Sequence, residues 1–316
     1  MNIRKTVLLA ALAALTGQAT AQTNTVRTNP VGADGVVDLP AFSVPLSRYM
    51  SEQARQKFTE TATRPRPAKP VAKPTIAQMR ENADAYYRPI VERERLTWPV
   101  RIDSEKIGGV ATQIITPDAG IPRRNSKRVL INLHGGSFLT GAGLGGLTES
   151  IPIAGTMGIK VVTVDYRMAP EYQFPSASED VASVYLELLK HHKPADIGIF
   201  GCSAGGILSA MSIAWFLSRK LPVPGALGIF HAGAFASFSG SPADTNSWGG
   251  DSRYLAPPLL GQAPLPVGIL PPNALRGAMD YTANADPNDP LASPALSPSI
   301  LRAFPPTLLI TGTRAF

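Results

Sequence analysis

Five short apolar runs constrain this chain more than any other feature of it. They lie at 129–133, 159–164, 197–200, 227–230 and 307–310, and four of them stop at a glycine, an acid or a polar pair: His134-Gly135, Asp165, Gly201 and Thr311-Gly312. An apolar run too short for a helix and lacking strict alternation suits a strand buried on both faces. Helical stretches separate the runs, one over 176–192 through Val181, Val184, Leu186 and Leu189, another over 204–219 through Ile207, Leu208, Met211, Ile213 and Phe216. Strand and helix in alternation predict an α/β fold, a mostly parallel sheet with helices on both faces. Residues 96–103 and 108–116 read as a pair of earlier strands, and 236–300, rich in Gly, Pro, Ser and Asn, as a long excursion of the lid or binding-loop kind.

The region ahead of the sheet is built differently. Met1 to Lys5 supply a positive start through Arg4 and Lys5, 7–15 are apolar, and Ala19-Thr20-Ala21 offers small residues at the positions a signal peptidase reads. This predicts a signal peptide over 1–21, cut after Ala21, and a periplasmic or secreted protein of Gram-negative type. The apolar run is about half the ~20 residues that span a bilayer, so no stable membrane insertion is expected. Residues 22–45 read as irregular, while 46–61 and 75–95 have helical composition, the second placing Ile76, Met79, Ala83, Tyr86 and Tyr87 at helical spacing. Between them, Arg64, Arg66, Lys69 and Lys73 interleave with Pro65, Pro67, Pro70 and Pro74, which predicts an extended, solvated linker over 62–75. The net charge of +7 is concentrated there rather than on a folded face, so no nucleic-acid module is indicated. A single cysteine, Cys202, excludes an intramolecular disulfide, and four histidines offer no metal-ligand cluster at usable spacing. No metal and no cofactor are expected.

The chemistry is carried by Gly201-Cys202-Ser203-Ala204-Gly205, which matches G-x-S-x-G. An apolar strand precedes it and an apolar helix follows. A sharp strand-to-helix turn leaves no room for side chains on the flanking positions and lifts the serine above the sheet. It also sets Ser203 at a helix N-terminus, where unpaired N–H groups favour developing negative charge. Ser203 is the candidate nucleophile. About seventy residues upstream, His134-Gly135-Gly136-Ser137-Phe138 ends another strand. Acyl transfer needs N–H donors aimed at the oxygen that becomes negative, and losing one typically costs about 3–4 kcal/mol. The amides of Gly135, Gly136 and Ala204 are the candidate oxyanion hole, and His134, Ser137, Phe138 and His231 are candidate pocket residues.

With both motifs present, the chain resembles the hormone-sensitive-lipase-like esterases, the α/β-hydrolase fold-3 group. Asp165-Tyr166-Arg167-Met168-Ala169-Pro170-Glu171 followed by Phe174-Pro175 is similar to that family's D-Y-R-L-A-P-E…F-P segment, with Asp180 as the acid that follows it. Asp289-Pro290 and Ser293-Pro294 resemble its stretch before the next-to-last strand. The resemblance covers about 128–316. It implies that residues 46–95 form a helical cap shaping an acyl pocket, within a larger N-terminal segment over 22–95, and that 96–316 form the hydrolase core. Two positions depart from the family pattern: Cys202 stands where Asp is usual, and Ser137 replaces the third glycine of H-G-G-G. Both keep the backbone donors.

A serine hydrolase needs an acid and a histidine after the nucleophile. The resemblance implies an acid just past the strand that ends at Gly312, where Ala315 stands, and a histidine some tens of residues later, beyond Phe316. His191 and His192 end the helix leading into the next strand, so they belong at the far end of the sheet. His231 follows the strand after the elbow helix, on the correct side. The expectation is a C-terminally incomplete core and a poor catalyst. The predicted function is a serine carboxylesterase acting on small-molecule esters through an acyl-Ser203 intermediate. An amidase or acetyl-sugar deacetylase, and a non-catalytic binding protein on the same fold, are the alternatives. The oligomeric state is not legible.

Overall fold

The computed structural model describes residues 46–62, 74–235, 280–286 and 288–311. The expected signal peptide, 1–21, and most of the expected Pro-rich linker lie outside them. Residues 46–50 fall outside the larger unit, which starts at Ser51, and in them a turn closes from the Met50 amide to the Ser47 carbonyl at 3.1 Å.

The larger unit begins with two helices, α1 (Glu52–Ala62) and α2 (Ile76–Thr97). The second starts where the Pro-rich composition ends, because Thr75 and Gln78 satisfy each other's backbone N–H groups in a capping box. Two antiparallel strands follow, β1 (Val100–Ile107) and β2 (Val110–Pro117), joined at Gly108-Gly109. Both glycines have positive φ, 58° and 83°, as a two-residue hairpin turn that matches strand twist requires. The expected strand pair therefore exists with its first strand shifted toward the glycines. Asp103 to Lys106 look like loop residues in sequence, yet they form an exposed strand end.

The remaining strands are β3 (Val129–Leu133), β4 (Lys160–Val164), β5 (Ile197–Cys202), β6 (Ala226–Phe230) and β7 (Thr307–Ile310). The seven lie in the order β1-β2-β4-β3-β5-β6-β7. β1–β2 and β2–β4 are antiparallel, and every other pair is parallel. The apolar strands β3 to β6 are buried because helices cover both faces, whereas β7, also expected to be buried, is exposed along its length. On one side α4 (Ser176–Leu188) and α5 (Ala204–Ser218) enclose Ile131, Val181, Tyr185, Leu208, Phe216 and their neighbours. On the other, α2 and α3 (Leu144–Met157) close over Val91, Ile115, Leu147, Ile151 and Phe200. Burying a side chain of this size contributes roughly 1.5–3 kcal/mol. Helix α5 is buried at every position from Ala204 to Phe216, so the helix behind the nucleophile is the centre of the larger core.

Helix α3 has no counterpart in the expected pattern. Gly145, Gly146, Gly155 and Pro152 give it poor intrinsic propensity, and packing overrides that. At the far edge, Leu308, Leu309 and Ile310 of β7 are 58%, 57% and 47% exposed. Of the predicted excursion 236–300, the described part from residue 280 on is ordered against the core: Tyr281 is fully buried, and its hydroxyl accepts the Ala177 amide at 2.9 Å. A short helix, α6 (Pro298–Arg302), leads into β7.

Candidate active site

The C-terminal ends of β3, β4, β5 and β6 converge on Ser203. Parallel pairing sets Leu133 beside Gly201 and Cys202 beside Phe230, so the loops leaving these strands emerge together. Ser203 has φ 56° and ψ −123°, a conformation that side-chain-bearing residues rarely adopt. Its amide donates to the Phe230 carbonyl at 2.9 Å, and its carbonyl accepts the Ile207 amide at 3.1 Å. Those bonds hold the turn and leave the partly exposed side chain above the sheet. Glycines flank the serine because the backbone passes too close for anything larger. A Cβ at Gly205 would overlap the carbonyl of Leu133, and one at Gly201 would overlap both that carbonyl and Gly205 itself.

The loop after β3 abuts this elbow: a Cβ placed on Gly135 would lie 3.5 Å from that of Ser203. Gly136, Ser137 and Phe138 have consecutive positive φ values of 112°, 58° and 60°, and the Gly136 carbonyl accepts the amides of Leu139 and Thr140, both at 3.0 Å. The Gly135 amide is already engaged, donating to Glu149 Oε1 at 2.9 Å. It is therefore not the free donor the sequence suggests. Among the described residues no acceptor meets the N–H of Gly136 or Ser137. Ala204 opens α5, where helix geometry leaves its N–H unpaired.

His134 and Phe138, expected in the pocket, are instead fully buried beneath the loop. The His134 ring stacks on Tyr166 with centroids 4.2 Å apart, and its Nδ1–H donates to the Gly135 carbonyl at 2.8 Å. Burial, the largest influence, pushes its pKa down, so it is a neutral structural imidazole. Phe138 stacks on Tyr281 at 4.4 Å. Ser137 stays partly exposed on the loop. His231 is exposed at the end of β6, its Nδ1 3.7 Å from the sulfur of Cys202, and it makes no bond to Ser203. Burial raises the Cys202 thiol pKa, and the nearby Glu149 adds to it, so this is not an activated thiolate. His192 donates from Nδ1 to the Lys127 carbonyl at 2.8 Å, at the opposite end of the sheet, as expected.

Three groups that sequence reasoning missed complete the surroundings. Arg80 of α2 donates to the carbonyls of Leu139 and Ala169 at 3.0 and 3.1 Å and makes two bonds to Glu171 at 2.9 and 2.7 Å. Tyr87, about two helical turns further along, packs against Gly145 of α3; burial raises its pKa, followed by the proximity of Glu149, Tyr86 and Cys202. Glu149 itself, half-buried, reaches from α3 toward the strand ends. A Glu in a glycine-rich segment carries no motif; the one available signal was a lone acid between the apolar positions Leu147 and Ile151. The family-like segment after β4 is fixed by Arg167, whose Nε meets Asp180 at 2.9 Å while its amide donates to the same carboxylate at 2.8 Å. Among the described residues no group of acids, histidines or cysteines is placed to hold a metal ion, and no helix is long and apolar enough to cross a membrane.

Residues 130–316 match the model of the alpha/beta hydrolase fold family Abhydrolase_3. An acetyl-hydrolase of Streptomyces hygroscopicus is 31% identical over 193 residues, 61% of this chain and 58% of that protein. An esterase of Acinetobacter venetianus is 29% identical over 127 residues, 39% of this chain and 40% of that protein. The chain thus spans at most about three fifths of the length of these curated relatives. The crystal structure of an esterase designated E25 superimposes with a TM-score of 0.68 at 27% identity, covering 88% of this chain and 81% of the other. A hyperthermophilic esterase from Pyrobaculum calidifontis shares the fold with a TM-score of 0.61 at 23% identity, over 84% of this chain and 80% of that one.

Proposed function

The chain belongs to the α/β-hydrolase fold family, and on that premise we propose that it is a serine carboxylesterase-type hydrolase of small-molecule esters, exported from the cytoplasm, with Ser203 as nucleophile. One observation carries the reading: Ser203 stands partly exposed in a strained strand-to-helix turn beside amides that meet no acceptor among the described residues. Such donors are worth most where negative charge develops on an acyl oxygen. Because Glu149 takes the Gly135 amide, the oxyanion falls to Gly136, Ser137 and Ala204. Ser203 attacks the ester carbonyl, the tetrahedral oxyanion collapses with loss of the alcohol, and water releases the acid from acyl-Ser203. The names of the acetyl-hydrolase and esterase relatives support an ester substrate.

A serine without an adjacent base is a weak nucleophile. His231 faces Cys202 rather than Ser203, and the other described histidines are buried or at the wrong end of the sheet. We therefore expect slow turnover from this chain, with the oxyanion donors and binding leaving a residual of roughly 10³–10⁴ over water. Hydrolysis of p-nitrophenyl butyrate, with Ser203→Ala and His231→Ala as variants, tests this. Loss of the residual rate in Ser203→Ala alone supports the assignment. A rate that survives Ser203→Ala removes the nucleophile, and a rate lost in His231→Ala restores a base.

A further inference from the structure

A carboxylate is expensive to bury without partners, and the carboxyl group of Glu149 is largely enclosed by the protein at the catalytic end of the sheet. Its position explains the expense. Oε1 accepts the Gly135 amide at 2.9 Å, and Oε2 accepts Asn132 Nδ2 at 2.9 Å. The backbone N–H of Cys202 also faces it. Three pieces of the site thus meet on one side chain: the last turn of β3, the first amide of the loop that follows, and the residue before the nucleophile. A buried polar chain anchors the arrangement from behind. The Asn132 amide oxygen accepts the Thr163 hydroxyl at 3.3 Å, and that hydroxyl meets Ser150, the residue after Glu149 on α3. An apolar side chain at 149 would fill the space equally well but would leave the Gly135 amide free to turn.

We propose that Glu149 is a positioning residue of the acyl-transfer site, whose carboxylate holds the Gly135 amide inward and so presents the two following amides, Gly136 and Ser137, to the acyl oxygen on Ser203. This rests on the reading of Ser203 as nucleophile. The consequence is that the ionised carboxyl, an acceptor on both oxygens, supports the loop best, and a protonated one gives up part of that capacity. Burial pushes the group up to about 7, with the bonds from Asn132, Gly135 and Cys202 pulling the other way. The titratable groups that interact with it are Tyr87 from α2, Tyr166 after β4 and Cys202 at the end of β5, and His134 is the chain neighbour of the Gly135 it holds. From β1 and β2, the apolar Val100, Ile102 and Ile115 pack on that side.

Two measurements on the full chain test the proposal. In ¹⁵N-resolved NMR spectra, the Gly135 amide and the Asn132 side-chain amide are expected to titrate together with one midpoint well above the ordinary carboxylate range. That shared transition is absent in Glu149→Gln. Separate midpoints, or a transition that persists in Glu149→Gln, overturn the coupling. If the variant does not fold, the shared midpoint in the unaltered chain decides the question alone. The second measurement is the affinity of phenylboronic acid, whose tetrahedral Ser203 adduct places an oxygen where the oxyanion forms and needs no turnover. Glu149→Gln is expected to weaken it by about 10- to 100-fold, the scale of a displaced donor. Equal affinity in both proteins overturns the positioning role. No adduct in either protein refutes the Ser203 reading and with it the role proposed here, while the amide titration still reports separately on whether the carboxylate holds the loop.

Discussion

Ser203 pays a conformational cost for its place, and replacing it by glycine is expected to make the protein more stable. With φ at 56° and ψ at −123°, the residue lies where a Cβ is unfavourable by roughly 1–3 kcal/mol. Glycine removes that strain but adds unfolded-state entropy worth about 0.4–1 kcal/mol. The backbone bonds to Phe230 and Ile207 survive either change. Comparing Ser203→Gly with Ser203→Ala cancels the loss of the hydroxyl, so the glycine variant should exceed the alanine one by about 0.5–2 kcal/mol. In urea unfolding, with a slope of about 2–3 kcal/mol per molar, this moves the midpoint up by roughly 0.2–1 M. Both variants lack the nucleophile. If the glycine variant unfolds at the same or a lower urea concentration than the alanine one, the turn is not strained, and the idea that stability is traded for a raised serine is wrong.

Other outcomes follow from the same geometry. Glu149 has a folded-state pKa of about 7, above its ordinary 4.5, so its contribution to folding is greatest below about pH 4.5 and is lost as pH rises through 7. The loss is on the order of 3 kcal/mol, and subtracting the urea stability of Glu149→Gln at each pH isolates it, because Glu94, also raised to about 7, cancels in the difference. Arg80→Ala should cost about 1–3 kcal/mol by leaving the Leu139 and Ala169 carbonyls without their donor, whereas Glu171→Gln, at an exposed ion pair, should cost less than about 1 kcal/mol; chemical denaturation ranks the two. Gly205→Ala should yield little folded protein, since the added carbon overlaps the Leu133 carbonyl; soluble, native-like circular dichroism from that variant would count against the tight elbow. Intact mass of exported protein should place the mature start at Gln22, and retention of Met1 would argue against export.

The parts of the site that were legible in sequence are those fixed by local geometry. Gly201 and Gly205 around Ser203 announce a turn that only glycine tolerates, and the five apolar runs announce strands, four of them buried as expected and the fifth, β7, exposed along its length. Helix α3 was not legible because its glycines serve contacts with remote residues. Gly145 admits the Tyr87 ring, Gly146 admits Thr163 and Gly155 admits Trp98, and each lowers the helical signal by as much as it improves the packing. Glu149 went unseen with the helix that carries it. For the same reason the engagement of the Gly135 amide was not legible: nothing in His134-Gly135-Gly136 says that a carboxylate from another element will claim it. The burial of His134 and Phe138 was not legible because a residue beside a loop in sequence can lie beneath it in space, where each stacks on an aromatic ring, Tyr166 or Tyr281.

Arg80 has a consequence for how a site of this shape can change. One guanidinium ties α2 to the loops after β3 and β4 through four hydrogen bonds, so this helix meets anything above the serine as a fixed wall rather than a hinged door. A wall that cannot swing is remodelled by exchanging the bricks that face inward. Divergence in what the site accepts would then accumulate as single side-chain replacements along one stripe of α2, around Tyr87, while Arg80 and its acceptors stay as they are.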